Sequence, residues 1–184
     1  MKHRPAYYPD TDFSQKIYPK VLVYLQDFEK LNDTYSLTEQ EFENAYQALA
    51  KSLQDLTKKE MGNYPLWEWW EGEGIEVLAF RISLPNPTIY QLNQDELRDI
   101  VDIIQNNNYP CQNEFENQFC GYFDKYFHQL LALNFPKSYE YDYFLRHCIG
   151  EKYIEFNIDD IVECIFSNKP YQYHKTTLFK KYGA

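Results

Sequence analysis

Glu68, Glu71, Glu73 and Glu76 fall within nine residues with no lysine or arginine between them, and Trp67, Trp69 and Trp70 stand in the same stretch. Carboxylates this dense suggest either acid–base chemistry or capture of a cation. Glycoside hydrolysis needs two carboxyl groups at a defined separation across a sugar site, and no spacing in this chain suggests that arrangement. Next to indole rings the acids suit docking, because interface hot spots combine aromatic anchors with a polar surround. The competing reading puts two of the tryptophans in a core and leaves the acids to solvate a turn. A second stretch, Tyr139-Glu140-Tyr141-Asp142-Tyr143, alternates aromatic and acidic residues. On a helix Tyr139 and Tyr143 share a face and Tyr139 neighbours Asp142. The stretch is then either a recognition patch or a helix with one aromatic face buried. The candidate partner-binding residues are therefore Glu68, Trp70, Glu71, Glu73, Glu76, Tyr139, Glu140 and Asp142. Asp159-Asp160 open a helix, where acids favour the N-terminal dipole.

Other chemistries find little footing. His3, His128, His147 and His174 form no H-E-x-x-H or H-x-x-x-H pattern, and Cys120 and His128 are about two helical turns apart, too far for an easy ligand pair. No bound metal is expected. Cys111, Cys120, Cys148 and Cys164 show no C-x-x-C spacing and read as small core residues with free thiols. No G-x-S-x-G or other nucleophile signature occurs. The chain's 6 glycines form no phosphate-cradling loop. The expectation is a protein without catalytic residues or cofactor. An enzyme whose site is assembled from distant residues remains the second hypothesis. A deep pocket with a strongly shifted titratable group would mark it.

The elements that must position these residues read as mostly helical. Thr38 and Glu41 form a capping box, followed by Phe42, Ala45, Tyr46, Leu49, Leu53 and Leu56 on one stripe, and Gly62 stops this helix near Lys59. Pro19 suits the first turn of an earlier helix carrying Val21, Leu22, Leu25 and Phe28. Asn93 and Glu96 repeat the box ahead of Leu97, Ile100, Val101 and Ile104. One long helix is expected over 113–133, with Gly121 inside it, then a shorter helix capped by Ser138 through Cys148, a strand near 153–156 and a helix over 159–166. Residues 64–70 and 75–84 are rich in β-formers and flank Glu71-Gly72-Glu73-Gly74, which reads as a hairpin. The fold class is thus α+β, with five or six helices and a small antiparallel sheet built around one hairpin near 64–84. Nothing forces a domain boundary, so 1–184 reads as one domain, with an irregular lead-in over about 1–15 and a basic tail over about 167–184.

The formal net charge of −10 repels phosphate backbones and anionic membranes and attracts basic partners. It also fits a solvating coat. Direct nucleic-acid binding is not expected. The tail opposes the trend: Lys169, Lys175, Lys180 and Lys181 lie in it with no acid, suiting docking on an acidic body, disorder, or contact with an acidic partner. No apolar signal core follows Lys2 and Arg4 and no run approaches a membrane span, so a cytoplasmic location is expected.

In its acidic hairpin from Trp67 to Glu76, its Tyr139–Tyr143 stretch and its lack of signal or active-site sequences, the chain resembles the small cytoplasmic immunity proteins of bacterial contact-dependent growth inhibition and related polymorphic toxin systems. The resemblance is one of type and carries no family motif. It implies a protein that neutralises one cognate toxin domain, often a basic nuclease. Carboxylates would stand where substrate phosphates belong or block the entrance to the site. A nucleic-acid mimic that inhibits a DNA-acting protein is the third hypothesis, which requires acids along a duplex-like stripe.

Overall fold

Thr38 and Glu41 cap a helix as their spacing predicts: the Glu41 amide donates to Thr38 Oγ1 at 3.3 Å and the Thr38 amide donates to Glu41 Oε2 at 2.9 Å. A computed structural model describes residues 4–34, 37–67, 74–149 and 152–183. Its chain divides into two compact units, Met1–Asn86 with Asn113–Tyr122, and Pro87–Gln112 with Phe123–Ala184. Eight α-helices and one two-stranded antiparallel sheet occur among the described residues.

The first unit holds α1 (Thr11–Thr34), α2 (Glu39–Thr57), α3 (Ile75–Ser83) and α5 (Glu114–Gln118). Helix α1 starts ahead of Pro19, inside the expected lead-in, because Asp10 Oδ1 accepts from the Phe13 amide at 3.0 Å. Pro19 consequently lies in the helix interior, where it forfeits one backbone hydrogen bond. Helix α2 ends close to the expected Lys59, and what stops it is Lys58 in the left-handed region (φ 60°), not Gly62. Val21, Leu25 and Phe28 of α1 pack with Leu49 and Leu53 of α2 and with Ile75, Leu78, Ala79 and Ile82 of α3.

Helix α3 overturns the expected hairpin. Residues 75–83 are helical, and Tyr64 to Trp67 form no strand. An apolar residue at nearly every position satisfies periods of 2 and 3.6 alike. Burial on all sides then selects the helix, with Glu76 exposed. Gly74 leads into it at φ 85°, a conformation open to glycine and strained for side-chain-bearing residues.

Lys59 closes the other end of α3. It is 4% exposed, and its Nζ donates to the Arg81 carbonyl at 3.0 Å and to Tyr64 Oη at 3.0 Å. That carbonyl is one of the helix-terminal acceptors lacking an intrahelical donor. Burial brings the amine's pKa down to about 8. Above pH 8 the folded chain releases a proton that the unfolded chain holds until near its ordinary value. Stability attributable to Lys59 should therefore rise by about 2 kcal/mol between pH 8 and 9.5. Urea unfolding of wild type against Lys59→Met across that range checks it. Parallel curves would refute it.

The second unit holds α4 (Gln94–Asn106), α6 (Asp124–Asn134), β1 (His147–Ile149), β2 (Lys152–Ile154), α7 (Ile158–Phe166) and α8 (Tyr171–Gly183). The Asn93–Glu96 capping box opens α4 as expected. The single helix expected over 113–133 is instead α5, a 3-10 turn at Cys120–Tyr122, and α6. The break leaves Phe119 stacked on Phe80 at 4.3 Å within the first unit. The helix expected from Ser138 to Cys148 is a 3-10 turn, Tyr141–Phe144, followed by β1. Ser138 Oγ donates across to the Ile165 carbonyl at 2.5 Å. The sheet therefore pairs His147–Ile149 with Lys152–Ile154, with Cys148 opposite Tyr153.

The basic tail is helical and docked within its own unit. Lys181 Nζ donates to both Asp160 oxygens at 2.6 and 2.8 Å, the Tyr182 hydroxyl donates to the same carboxylate, and Tyr171 and Leu178 are buried. Cys148 and Cys164 are free thiols, whereas Cys111 and Cys120 are disulfide-bonded. This corrects the expectation of four free thiols. No helix among the described residues is long and apolar enough to cross a membrane.

Candidate functional site

Helix α4 turns Asp95, Asp99 and Asp102 onto one face, because spacings of four and three residues return a side chain to the same side. These carboxylates, with Asp159 at the start of α7, border an open concavity of about 750 Å³ in the second unit. Arg98 also borders it and pairs with Asp159. Both partners are substantially exposed, so the pair contributes little to stability. Asp102 accepts from Asn106 Nδ2 at 2.6 Å and from Asn108 Nδ2 at 2.5 Å, which holds its carboxylate in place.

Gln105 and Asn106 at the end of α4 also line a second cavity of the same unit, about 510 Å³. Asp124 and His128, four apart on α6, supply one wall. Tyr141 and Phe144 of the 3-10 turn supply another, and Glu155 and Phe156 follow β2. The His128 ring lies 4.7 Å from that of Tyr141 and 4.9 Å, edge-on, from that of Phe144. Its Nδ1 is hydrogen-bonded to the Tyr139 hydroxyl at 2.9 Å.

Burial pushes the His128 pKa down to about 4, against a smaller upward pull from Asp124. Burial, then Tyr141 and Glu140, raise the Tyr139 hydroxyl well above its ordinary value. Near neutral pH the pair is an uncharged imidazole and a protonated phenol. A base with a pKa near 4 accepts protons poorly at pH 7, since efficient general bases titrate near the working pH. His128 thus has the shifted pKa that the enzyme hypothesis calls for, but in the direction that weakens a base. Its chemical contribution is a neutral aromatic wall. Among the described residues no group of three or more histidines, cysteines and carboxylates is placed to hold a metal ion.

The residues singled out in the sequence are only partly gathered here. Tyr139 is half-buried against His128, Glu140 is exposed and Asp142 is half-buried. The aromatic–acidic alternation is not a helical face: Tyr143 points inward at 0% exposure and Tyr141 outward at 53%. Glu76 belongs to the first unit. Glu68, Trp70, Glu71 and Glu73, with Trp69, lie outside the described residues. Trp67 packs edge-on against Phe28 at 5.9 Å and Phe42 at 5.4 Å, in agreement with the core reading for this tryptophan. Asp95, Asp99 and Asp102 form no motif; their one signal in the sequence is a spacing of four and three residues on the side of α4 opposite its apolar stripe. For His128 the signal is Asp124, four residues before it.

The architecture defines a mostly helical chain with an acidic concavity beside an aromatic cavity in one of its units. Comparison with protein-family models, curated proteins and solved structures finds no match.

Proposed function

We propose that the chain is a binding protein that receives a cationic surface of another protein on the acidic face of α4. More narrowly, it is an immunity-type protein that neutralises a cognate basic toxin domain, such as a nuclease, by occluding its active site in the cytoplasm. The supporting observation is the convergence of Asp95, Asp99, Asp102 and Asp159 on one open concavity. With Asp159 offset by Arg98, the remaining excess of negative charge on this surface attracts a basic partner over roughly a Debye length, about 8–10 Å at ordinary salt. It also makes positively charged surfaces the favoured partners. His128 argues against the enzyme reading, since its depressed pKa suits packing better than proton transfer.

Neutralising the face with Asp95→Asn, Asp99→Asn and Asp102→Asn together should slow association with the basic protein retained in a pulldown by about tenfold and flatten its salt dependence. Stopped-flow or surface-based kinetics at two salt concentrations read this. An unchanged rate constant would remove α4 from the interface. Protection of cells from that partner's toxicity upon co-expression tests the narrower reading. A partner bound without protection would overturn it.

A further inference from the structure

From Pro87 to Asn93, at the start of the second unit, the chain runs without helix, strand, turn or bend. Leu84 to Gln94 contain no charged residue, in a chain of which 25% is charged. Pro87 fixes its own φ near −65°, and Asn86 before it is held to extended backbone. Ile89, in the middle, is 73% exposed. A lone exposed aliphatic is ordinary; what sets Ile89 apart is how its backbone is held. Asn134, at the end of α6, donates from Nδ2 to the Thr88 carbonyl at 3.3 Å and to the Leu130 carbonyl at 2.8 Å. Its Oδ1 accepts from the Tyr90 amide at 2.6 Å. The Thr88 carbonyl and the Tyr90 amide belong to the two peptide bonds on either side of Ile89. One side chain therefore fixes both bonds, as a neighbouring strand would. In an extended chain the polar groups of the residue between them face the opposite way. The Ile89 N–H and C=O have no partner among the described residues. Side chain and main-chain groups of one residue are thus open together, as in a segment that enters another protein as an added strand.

We propose that residues 87–92 are a substrate-like segment that occupies and inhibits the cleft of a serine endopeptidase whose primary pocket takes a branched aliphatic side chain, with Ile89 in that pocket. The uncharged stretch and the single exposed aliphatic suit an apolar pocket beside a strand-accepting edge. The Asn134 clamp separates an inhibitor from a substrate. In acyl transfer the enzyme's serine oxygen bonds to the Ile89 carbonyl carbon and the Ile89–Tyr90 C–N bond breaks. The serine proton passes through the enzyme's histidine to the Tyr90 nitrogen. In a flexible substrate that amine departs. Here Asn134 Oδ1 holds it and the Tyr90 side chain is half-buried, so the amine stays beside the acyl carbon at a high effective concentration. The bond then re-forms by the reverse path faster than water replaces the amine. This activity is separate from the α4 face and uses none of its carboxylates.

The test uses the full chain and pancreatic elastase, an endopeptidase of this class, with a chromogenic peptide anilide as reporter. The chain should inhibit competitively and remain largely intact. Ile89→Asp, at an exposed position, should weaken inhibition at least about thirtyfold, the loss of one interface anchor. Intact-mass spectrometry should find the Ile89–Tyr90 bond cut at least about a hundredfold more slowly in the full chain than in a synthetic peptide of residues 85–93. Asn134→Ala, its fold checked by circular dichroism, should still compete at first but be cut at that bond about tenfold or more faster than wild type. Ile89→Asp and the peptide comparison leave α6 untouched, so they decide the matter even if Asn134→Ala fails to fold. Absence of competition, undiminished inhibition by Ile89→Asp, or cutting of the full chain as fast as the peptide would each overturn the proposal.

Discussion

Glu116→Ala is expected to destabilise the first unit by about 3–5 kcal/mol, the cost of removing one partner from a buried ion pair. The Glu116 side chain is 0% exposed, and its Oε1 accepts from Arg4 Nη1 at 2.5 Å and from the Thr11 hydroxyl. The two donors come from the start of the chain, more than a hundred residues away in sequence. They hold α5, a helix of five residues that is too short to persist on its own propensity. Truncation leaves the Arg4 guanidinium and the Thr11 hydroxyl without this acceptor in a desolvated place. Since domain stabilities run at about 5–15 kcal/mol, such a loss is visible in urea or thermal unfolding. Arg4→Ala combined with Glu116→Ala should cost less than the two single losses added. A Glu116→Ala protein within about 1 kcal/mol of wild type would show that the pair contributes no net stability.

The second large effect is an acid-dependent loss of stability through His128. Its pKa of about 4 in the folded chain lies below the ordinary imidazole value of about 6.5. Between those values the unfolded chain takes up a proton that the folded chain refuses. Stability is complete above pH 6.5 and falls as the pH drops towards 4, by a total of about 3 kcal/mol. Carboxylates also titrate in the lower part of this window, so the measurement is the difference between wild type and His128→Phe. The variant keeps an aromatic ring against Tyr141 and Phe144 but loses the bond to Tyr139, which should cost about 1 kcal/mol at pH 7. Its unfolding free energy should then decline less steeply, and near pH 4.5 the variant should equal or exceed wild type. Parallel pH profiles would refute this account of His128.

Local signals carried over from sequence to structure where they were sufficient by themselves. The boxes at Thr38–Glu41 and Asn93–Glu96 open their helices because cap and partner are three residues apart and require nothing distant. Helix α7 opens one residue ahead of the expected Asp159, because Asn157 caps it by accepting from the Asp160 amide at 2.8 Å. Ambiguous local signals were resolved by contacts far along the chain. Residues 75–83 carry both periods, and enclosure by α1 and α2 decides for the helix. The aromatic stripe from Phe115 to Leu130 fits one helix. Phe119 packing on Phe80, and Glu116 meeting Arg4, belong to a unit that the stripe from Phe123 onward does not share.

The candidate site divides in the same way. The acids of α4 could be read at spacings of four and three on a helix already identified by its cap, so their shared face was implicit in the order of residues. The cavity beside them could not be read, because His128, Tyr141 and Glu155 come from a helix, a 3-10 turn and the segment after a strand. By itself the sequence determined where the two capping-box helices begin and that the chain carries a large negative charge, since capping and charge act over a few residues or require no geometry at all. The tertiary structure alone decided which rings enclose the imidazole and which carboxylates converge. Burial and through-space distance, the quantities that set their chemistry, arise only when separated segments pack.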